Sequence, residues 1–240
     1  MEPLDDPRWE GIQSSDLRMW GSGDGAVTFE ASLSEEERLR LREMTQYEQP
    51  FWQRGICDVV GIDEVGRGPI AGPVVAAAVI VPPNALWAGI NDSKKLSEKK
   101  RLLLEKKIKA HCLAWAIGAV GPSVIDEINI LQATKLAMKQ AVSKLPLPPE
   151  HLLIDAVALD LPLPQTNIVK GDAKSISIAA ASIIAKCHRD RMMEVYDRVY
   201  PGYGLASHAG YPTKSHKEAV FTKGYTSIHR RSYHLKPIKK

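Results

Sequence analysis

The run Val74-Val75-Ala76-Ala77-Ala78-Val79-Ile80-Val81 constrains the fold more than any other stretch, because it is apolar at every position. A strand sends alternate side chains to opposite faces. A strand apolar at all positions therefore needs a hydrophobic layer on both sides. This is the pattern of a strand buried on both faces, so the rest of the chain is expected to supply elements that cover both sides of the sheet.

The remaining pattern supplies them. Residues 57–63 and 73–81 read as two strands joined by a Gly-rich turn. Ser97-Glu98-Lys99 opens a charged helix to about residue 110, and residues 111–120 form a third strand. Residues 122–127 and 131–145 are helical, the second with Leu131, Leu136, Ala137 and Met138 near helical spacing. Leu152-Leu153-Ile154 is a short strand ending at Asp155, 166–169 a fifth strand, and 175–200 a long helix with an Ala/Ile-rich first half. This order predicts an α/β layered fold: a mixed five-stranded sheet flanked by helices, with a small basic, helical C-terminal region.

Before the core, residues 1–32 are rich in Gly, Ser, Asp and Pro and are expected to be poorly ordered. Ser34 should cap a helix, with Glu37 closing a capping box. Leu39, Leu41 and Met44 give that helix an apolar side as far as Tyr47, and Pro50 ends this appendage. Three regions follow: an acidic N-terminal appendage (1–50), a catalytic core (51–200) and a basic C-terminal substrate-binding segment (201–240).

The 240 residues are 44% hydrophobic and 25% charged, which suits one large domain with appendages. No apolar run approaches the roughly 20 residues of a membrane helix, and no basic-then-apolar leader opens the chain. Cys57, Cys112 and Cys187 form no CxxC pair and read as reduced thiols of a cytoplasmic protein. The net charge of +4 is unevenly spread: 12 acids face 5 Lys/Arg over residues 1–50, whereas 8 Lys/Arg face Glu218 alone over residues 201–240. A basic C-terminal segment suits a polyanion, though a solvated tail reads the same way. A monomer is expected.

The chemistry is carried by acids at strand ends, where α/β sheets place ligands. Asp63 and Glu64 end the first strand, Asp155 ends the fourth, and Asp172 follows the fifth. Four carboxylates without His or Cys favour Mg²⁺ or Mn²⁺ over zinc. Two such ions about 4 Å apart serve in-line phosphodiester displacement. Mutual repulsion argues against a purely structural cluster. Asp160, beyond the strand, is expected to be solvated.

Around the acids stand groups suited to phosphate. Gly66-Arg67-Gly68 offers close backbone approach and a guanidinium fork. Lys94 lies in the polar loop Asn91-Asp92-Ser93-Lys94-Lys95. Lys174, Ser175 and Ser177 open the long helix, where free N–H groups favour anions, with plain N-capping as the alternative for the serines. Lys186 and Arg189 lie farther along that helix, within reach of Asp190 and Glu194. Tyr211, fixed by Pro212 among polar neighbours, is placed to stack on a sugar or base and to read a 2′-OH.

These stretches together resemble bacterial ribonuclease HII, the type 2 ribonuclease H family. The resemblance rests on Gly61-Ile62-Asp63-Glu64-Val65-Gly66-Arg67-Gly68-Pro69, Asn91-Asp92-Ser93-Lys94-Lys95-Leu96, Asn129-Ile130-Leu131-Gln132-Ala133-Thr134-Lys135, Leu153-Ile154-Asp155, Lys170-Gly171-Asp172, Ala179-Ala180-Ala181-Ser182-Ile183-Ile184-Ala185-Lys186 and Gly210-Tyr211-Pro212-Thr213. It spans roughly residues 45–220. It implies an RNase H-like fold and metal-dependent cleavage of RNA in RNA–DNA hybrids. It further implies incision 5′ of ribonucleotides embedded in duplex DNA, leaving 3′-hydroxyl and 5′-phosphate ends. By the same resemblance Asp63, Glu64, Asp155 and Asp172 hold the metal, and Gly66-Arg67-Gly68 with Tyr211 sense the ribonucleotide junction. Ala156 departs from the pattern, which has glycine there.

Three other readings are weaker. A DNA junction resolvase would not need a 2′-OH sensor. A binding module that has lost catalysis would not keep all four acids. A nucleotide-binding loop would need Gly-Lys-Ser/Thr, which is missing from the Gly-rich turn.

Overall fold

One five-stranded sheet runs through the described part of the chain, residues 33–235 apart from Asn84, in the computed structural model. The expectation of disorder over residues 1–32 lies outside the described residues. The strands are β1 (Val59–Val65), β2 (Val74–Ile80), β3 (Ala114–Val120), β4 (His151–Asp155) and β5 (Gln165–Ile168), in the order β3-β2-β1-β4-β5. β1, β2 and β3 pair antiparallel, whereas β4 runs parallel to β1 and β5 parallel to β4. The sheet is mixed, as expected.

The helices are α1 (Glu35–Glu43), α2 (Gln49–Trp52), α3 (Glu98–His111), α4 (Pro122–Ser143), α5 (Ile176–Val199), α6 (Leu205–His208) and α7 (Lys214–Lys223). They explain the apolar run. Ala77 and Val79 of β2 face one core with Ile176, Ala180 and Ile184 of α5. Ala76, Ala78 and Ile80 face a second core with Ala133, Ala137 and Met138 of α4. Every residue from Ile176 to Ala185 is buried, which the small Ala179-Ala180-Ala181 permits by letting α5 lie close on the sheet. β1 answers with Gly61, where an added Cβ would stand 2.1 Å from the Ser177 backbone.

α4 is two segments, as the sequence implies. Asn129 adopts φ 66°, ψ 163° between them. Its side-chain oxygen accepts from the Leu131 and Gln132 N–H groups, at 3.0 and 3.2 Å, and so caps the second segment.

The N-terminal helix differs from expectation in three ways. Ser34 caps α1 through the Glu37 N–H. Glu37, however, does not close the box: its carboxylate accepts from Arg40 and from the Gly89 N–H, each at 2.7 Å. A charge-assisted pair outcompetes a neutral cap. Leu39 is half exposed, and only Leu41 and Met44 join the α5 core. Pro50 does not end the region. It sits in the first turn of α2, where its missing N–H costs nothing.

Candidate metal centre and nucleic-acid face

Strand register brings the acids together. Ile62 pairs with Ile154 in parallel β1 and β4, so the next residues, Asp63 and Asp155, stand side by side at the carboxyl ends of their strands. Asp155 pairs with Ile168 of β5, and its Oδ1 accepts from the Gly171 N–H at 3.2 Å, next to Asp172. Asp63 shares the α5 face with Gly61, two residues back, and hydrogen-bonds Ser182 of that helix. Glu64 sits at the rim, 3.3 Å from the Arg67 guanidinium.

The acids also act on one another electrostatically. Burial, then repulsion from Glu64 and Asp155, raises the Asp63 carboxyl well above its ordinary range. Burial also raises Glu64, against the pull of Arg67. Burial, Asp92 and Asp155 raise Asp172. Lys94 is held above its ordinary value by Asp63, Asp172, Asp92 and Glu64, which outweigh its partial burial. The acids thus lie within Coulombic reach of one another. Among the described residues they do not form a closed cage of three, since Asp63 Oδ1 takes the Glu64 N–H at 2.8 Å and Asp155 is turned to Gly171. The donor set still fits a hard divalent cation: buried oxygen ligands, surplus negative charge and no nitrogen or sulfur.

Other expected site residues divide. Lys94 and Arg67 are exposed beside the acids, and Lys174 is exposed at the foot of α5. Ser175 is not available to a ligand. It is fully buried, caps α5 through the Ile178 N–H and donates to Glu48 at 2.5 Å, with Ser177 donating to the same oxygen at 2.6 Å. The capping reading is correct there, because Glu48 of the N-terminal region occupies the helix end. Lys186 is spent in an ion pair with Asp190 at 2.5 Å. Arg189 pairs with neither Asp190 nor Glu194. It is wholly buried and donates to the carbonyls of Ala71, Pro73 and Ala209. Asp160 is solvated, as expected, with Lys139 at 3.6 Å.

Tyr211 meets the glycine turn. Its ring is 43% exposed, and its Cε1 lies 3.5 Å from where a Gly68 Cβ would be. The loop is stitched down by Ile70 N–H to Gly210 O at 2.9 Å. His216 Nδ1 lies 2.9 Å from Tyr211 O, and His216 Nε2 lies 3.1 Å from His229 Nε2. His229 Nδ1 accepts the Thr226 N–H, so its Nε2 carries the proton and donates to His216, whose Nδ1–H then donates to Tyr211 O.

Residues 60–236 match the family described as Ribonuclease HII. The chain belongs to the ribonuclease HII family. A Ribonuclease HII of Bacillus cereus (strain ZK / E33L) is 55% identical over 207 residues, 86% of this chain and 80% of that protein. The ribonuclease H2 of Pyrococcus horikoshii OT3 has a similar structure, with TM-score 0.62 and 26% identity over 73% of this chain and 93% of that one. So does the RNase HII of Archaeoglobus fulgidus, solved in complex with PCNA, with TM-score 0.62 and 27% identity over 75% and 97%. This member is a ribonuclease H, an endonuclease acting on RNA–DNA hybrids.

Several residues around the acids escape a sequence reading. Asp92 is a fifth carboxylate, bonded to Asp172. It lies within the recognised Asn-Asp-Ser-Lys-Lys stretch, so the signal was there without a role. Ser182, which bonds both Asp63 and Ser93, hides among small helix residues. Arg230 looks like one more cation of a basic tail, yet it is wholly buried.

Ala156, where the resemblance leads one to expect glycine, adopts φ 55°. Left-handed backbone costs an L-residue about 1–2 kcal/mol, part of which glycine returns as entropy lost on folding. Ala156→Gly should therefore stabilise this ribonuclease HII by about 0.5–1 kcal/mol in urea unfolding.

The histidine chain predicts a pH dependence of stability. Burial, then His216 and Arg231, pushes His229 from 6.5 down to about 4, and burial lowers His216 as well. A lowered folded value means that the unfolded chain binds the proton first. Stability should hold above pH 6.5 and fall as pH drops toward about 4. His229→Gln should flatten that slope in chemical denaturation between pH 7.5 and 5.

Proposed function

We propose that the enzyme also incises duplex DNA 5′ of single embedded ribonucleotides, leaving 3′-hydroxyl and 5′-phosphate ends. We further propose that Asp63, Glu64, Asp155 and Asp172 hold two Mg²⁺ or Mn²⁺ ions. The observation that carries this reading is Tyr211 seated on the Gly66-Arg67-Gly68 turn, which Arg67 joins to Glu64 of the acid cluster.

Divalent ions bound there supply charge neutralisation and an activated water for in-line displacement. The chain's own groups do the rest. Buried carboxylates concentrate negative charge at one sheet edge. Lys94 stays protonated beside them and offers an ammonium to a phosphate oxygen. Arg67, 44% exposed and only loosely paired with Glu64, presents a fork to the backbone of the strand. The exposed Tyr211 ring gives the sugar at the junction a flat apolar seat, and its hydroxyl reaches the 2′ position.

A gel assay tests this directly. A duplex with one embedded ribonucleotide should be cut only with Mg²⁺ or Mn²⁺, and an all-DNA duplex should remain intact. Absence of incision while an RNA–DNA hybrid is cut would overturn the reading. Tyr211→Ala should reduce kcat/KM for the single ribonucleotide more than for the hybrid, since a continuous RNA strand offers alternative registers. The loss of stacking is worth about 1–3 kcal/mol, roughly 5- to 150-fold. Equal losses with a lowered Tm would make Tyr211 a packing residue instead.

A further inference from the structure

We propose that Arg230, with Tyr233, is the positioning residue that sets the Gly66-Arg67-Gly68 turn for ribonucleotide discrimination; this rests on the junction-sensing reading above. Arg230 is wholly buried, yet among the described residues no carboxylate hydrogen-bonds its guanidinium. Its donors go to main-chain carbonyls of one loop, apart from a bond from Nη1 to the Tyr233 hydroxyl at 3.2 Å. Nη2 donates to Gly66 O at 2.5 Å and Gly72 O at 2.8 Å, Nε to Gly72 O at 3.0 Å, and Nη1 to Arg67 O at 2.9 Å. The Tyr233 hydroxyl adds a second donor to Arg67 O at 2.6 Å.

Burying a guanidinium is costly, and burial outweighs the attraction of Tyr233 and Asp126 here, so this arrangement is a weak way to gain stability. It is a strong way to fix peptide orientation. In a trans peptide the C=O and the following N–H point in opposite directions. Turning the Gly66 and Arg67 carbonyls inward onto Arg230 turns the Arg67 and Gly68 N–H groups outward, on the side of the turn that Tyr211 flanks. Gly66 is free to comply because its φ is 94°. Two N–H donors held outward on one turn suit a 2′-OH or an adjacent phosphate oxygen.

The segment carrying Arg230 is itself anchored. Gly72 N–H donates to Ile228 O at 2.8 Å and Arg230 N–H to Ile70 O at 2.9 Å. Asp126 of α4 accepts from the Arg231 and Ser232 N–H groups at 2.8 and 2.9 Å. The far end of the chain thus reaches back across the sheet edge to hold the turn.

Arg230→Lys keeps the charge but loses the fork, and Tyr233→Phe removes one hydroxyl from a half-buried site, so the latter tests the idea even if the former unfolds. Amide hydrogen exchange on the free enzyme should be faster at Arg67 and Gly68 in Tyr233→Phe, with Tm and exchange in β1 unchanged. On substrates, kcat/KM for a single embedded ribonucleotide should fall about three- to tenfold in Tyr233→Phe, the effect of one lost hydrogen bond. Hybrid cleavage should fall less. Unchanged exchange at the two amides would overturn the proposal. So would equal losses on both substrates. A wild-type enzyme that ignores single ribonucleotides would overturn the junction-sensing reading instead, while the exchange result would still decide whether Arg230 and Tyr233 orient the turn.

Discussion

Asp63→Asn should abolish nearly all cleavage while leaving Tm unchanged or higher. A carboxylate that holds a divalent ion contributes several kcal/mol to stabilising charge in the transition state, so its loss costs roughly 10²- to 10⁴-fold in rate. Asparagine keeps the shape, and its oxygen still accepts the Glu64 N–H. It removes a buried charge that faces Glu64 and Asp155. Each kcal/mol of relieved repulsion should appear as about 2–4 °C in Tm for a chain of this size. Glu64→Gln and Asp155→Asn should follow the same pattern, and Asp172→Asn should lose less because water can replace part of its role. Kinetics in Mg²⁺ with a melting curve on each purified variant checks this. Near-wild-type cleavage by Asp63→Asn would remove the metal centre from these acids.

Gly61→Ala should be the most damaging single methyl that can be added near the site. The new Cβ would stand 2.1 Å from the Ser177 carbonyl carbon and 2.4 Å from the Ile178 nitrogen. Both are backbone atoms of α5 and cannot rotate away, so the helix must lift off β1. Overpacking of this kind costs about 3 kcal/mol or more, which is roughly 6–12 °C in Tm for a domain of this size. Activity should fall further than stability, because α5 carries Ser182, the partner of Asp63, and its N-terminus follows Asp172. A thermal melt and kcat at a temperature where the variant is folded separate the two losses. A Gly61→Ala enzyme with wild-type Tm would mean that helix and strand are not packed this closely.

The same contact shows what sequence alone determines here. The unbroken apolar β2, the Ala-rich start of the long helix and the acids at strand ends dictated a two-faced α/β sheet with its chemistry at one edge. Those signals are local, because side-chain periodicity and strand-end position follow from the backbone repeat itself. The acids Asp63, Glu64, Asp155 and Asp172 could be named before any contact was known. Register then decided how they meet: Ile62 beside Ile154 puts Asp63 beside Asp155.

What the sequence could not decide were the fates of polar groups whose partners lie far along the chain. Ser175 and Ser177 read equally as anion ligands or as helix caps until Glu48, more than a hundred residues earlier, is found on their hydroxyls. Arg189 reads as a partner for Asp190 or Glu194 and Arg230 as one charge of a basic segment, yet both are buried on main-chain carbonyls around residues 66–73 and 209. A carbonyl carries no signature in the side-chain alphabet, so an arginine destined for one looks the same as an arginine destined for water. Composition and periodicity fixed the layers and the acids. Long-range hydrogen bonding, whose partners only the tertiary structure brings together, decided which cations stay exposed beside the acids and which are buried on the turn at residues 66–72.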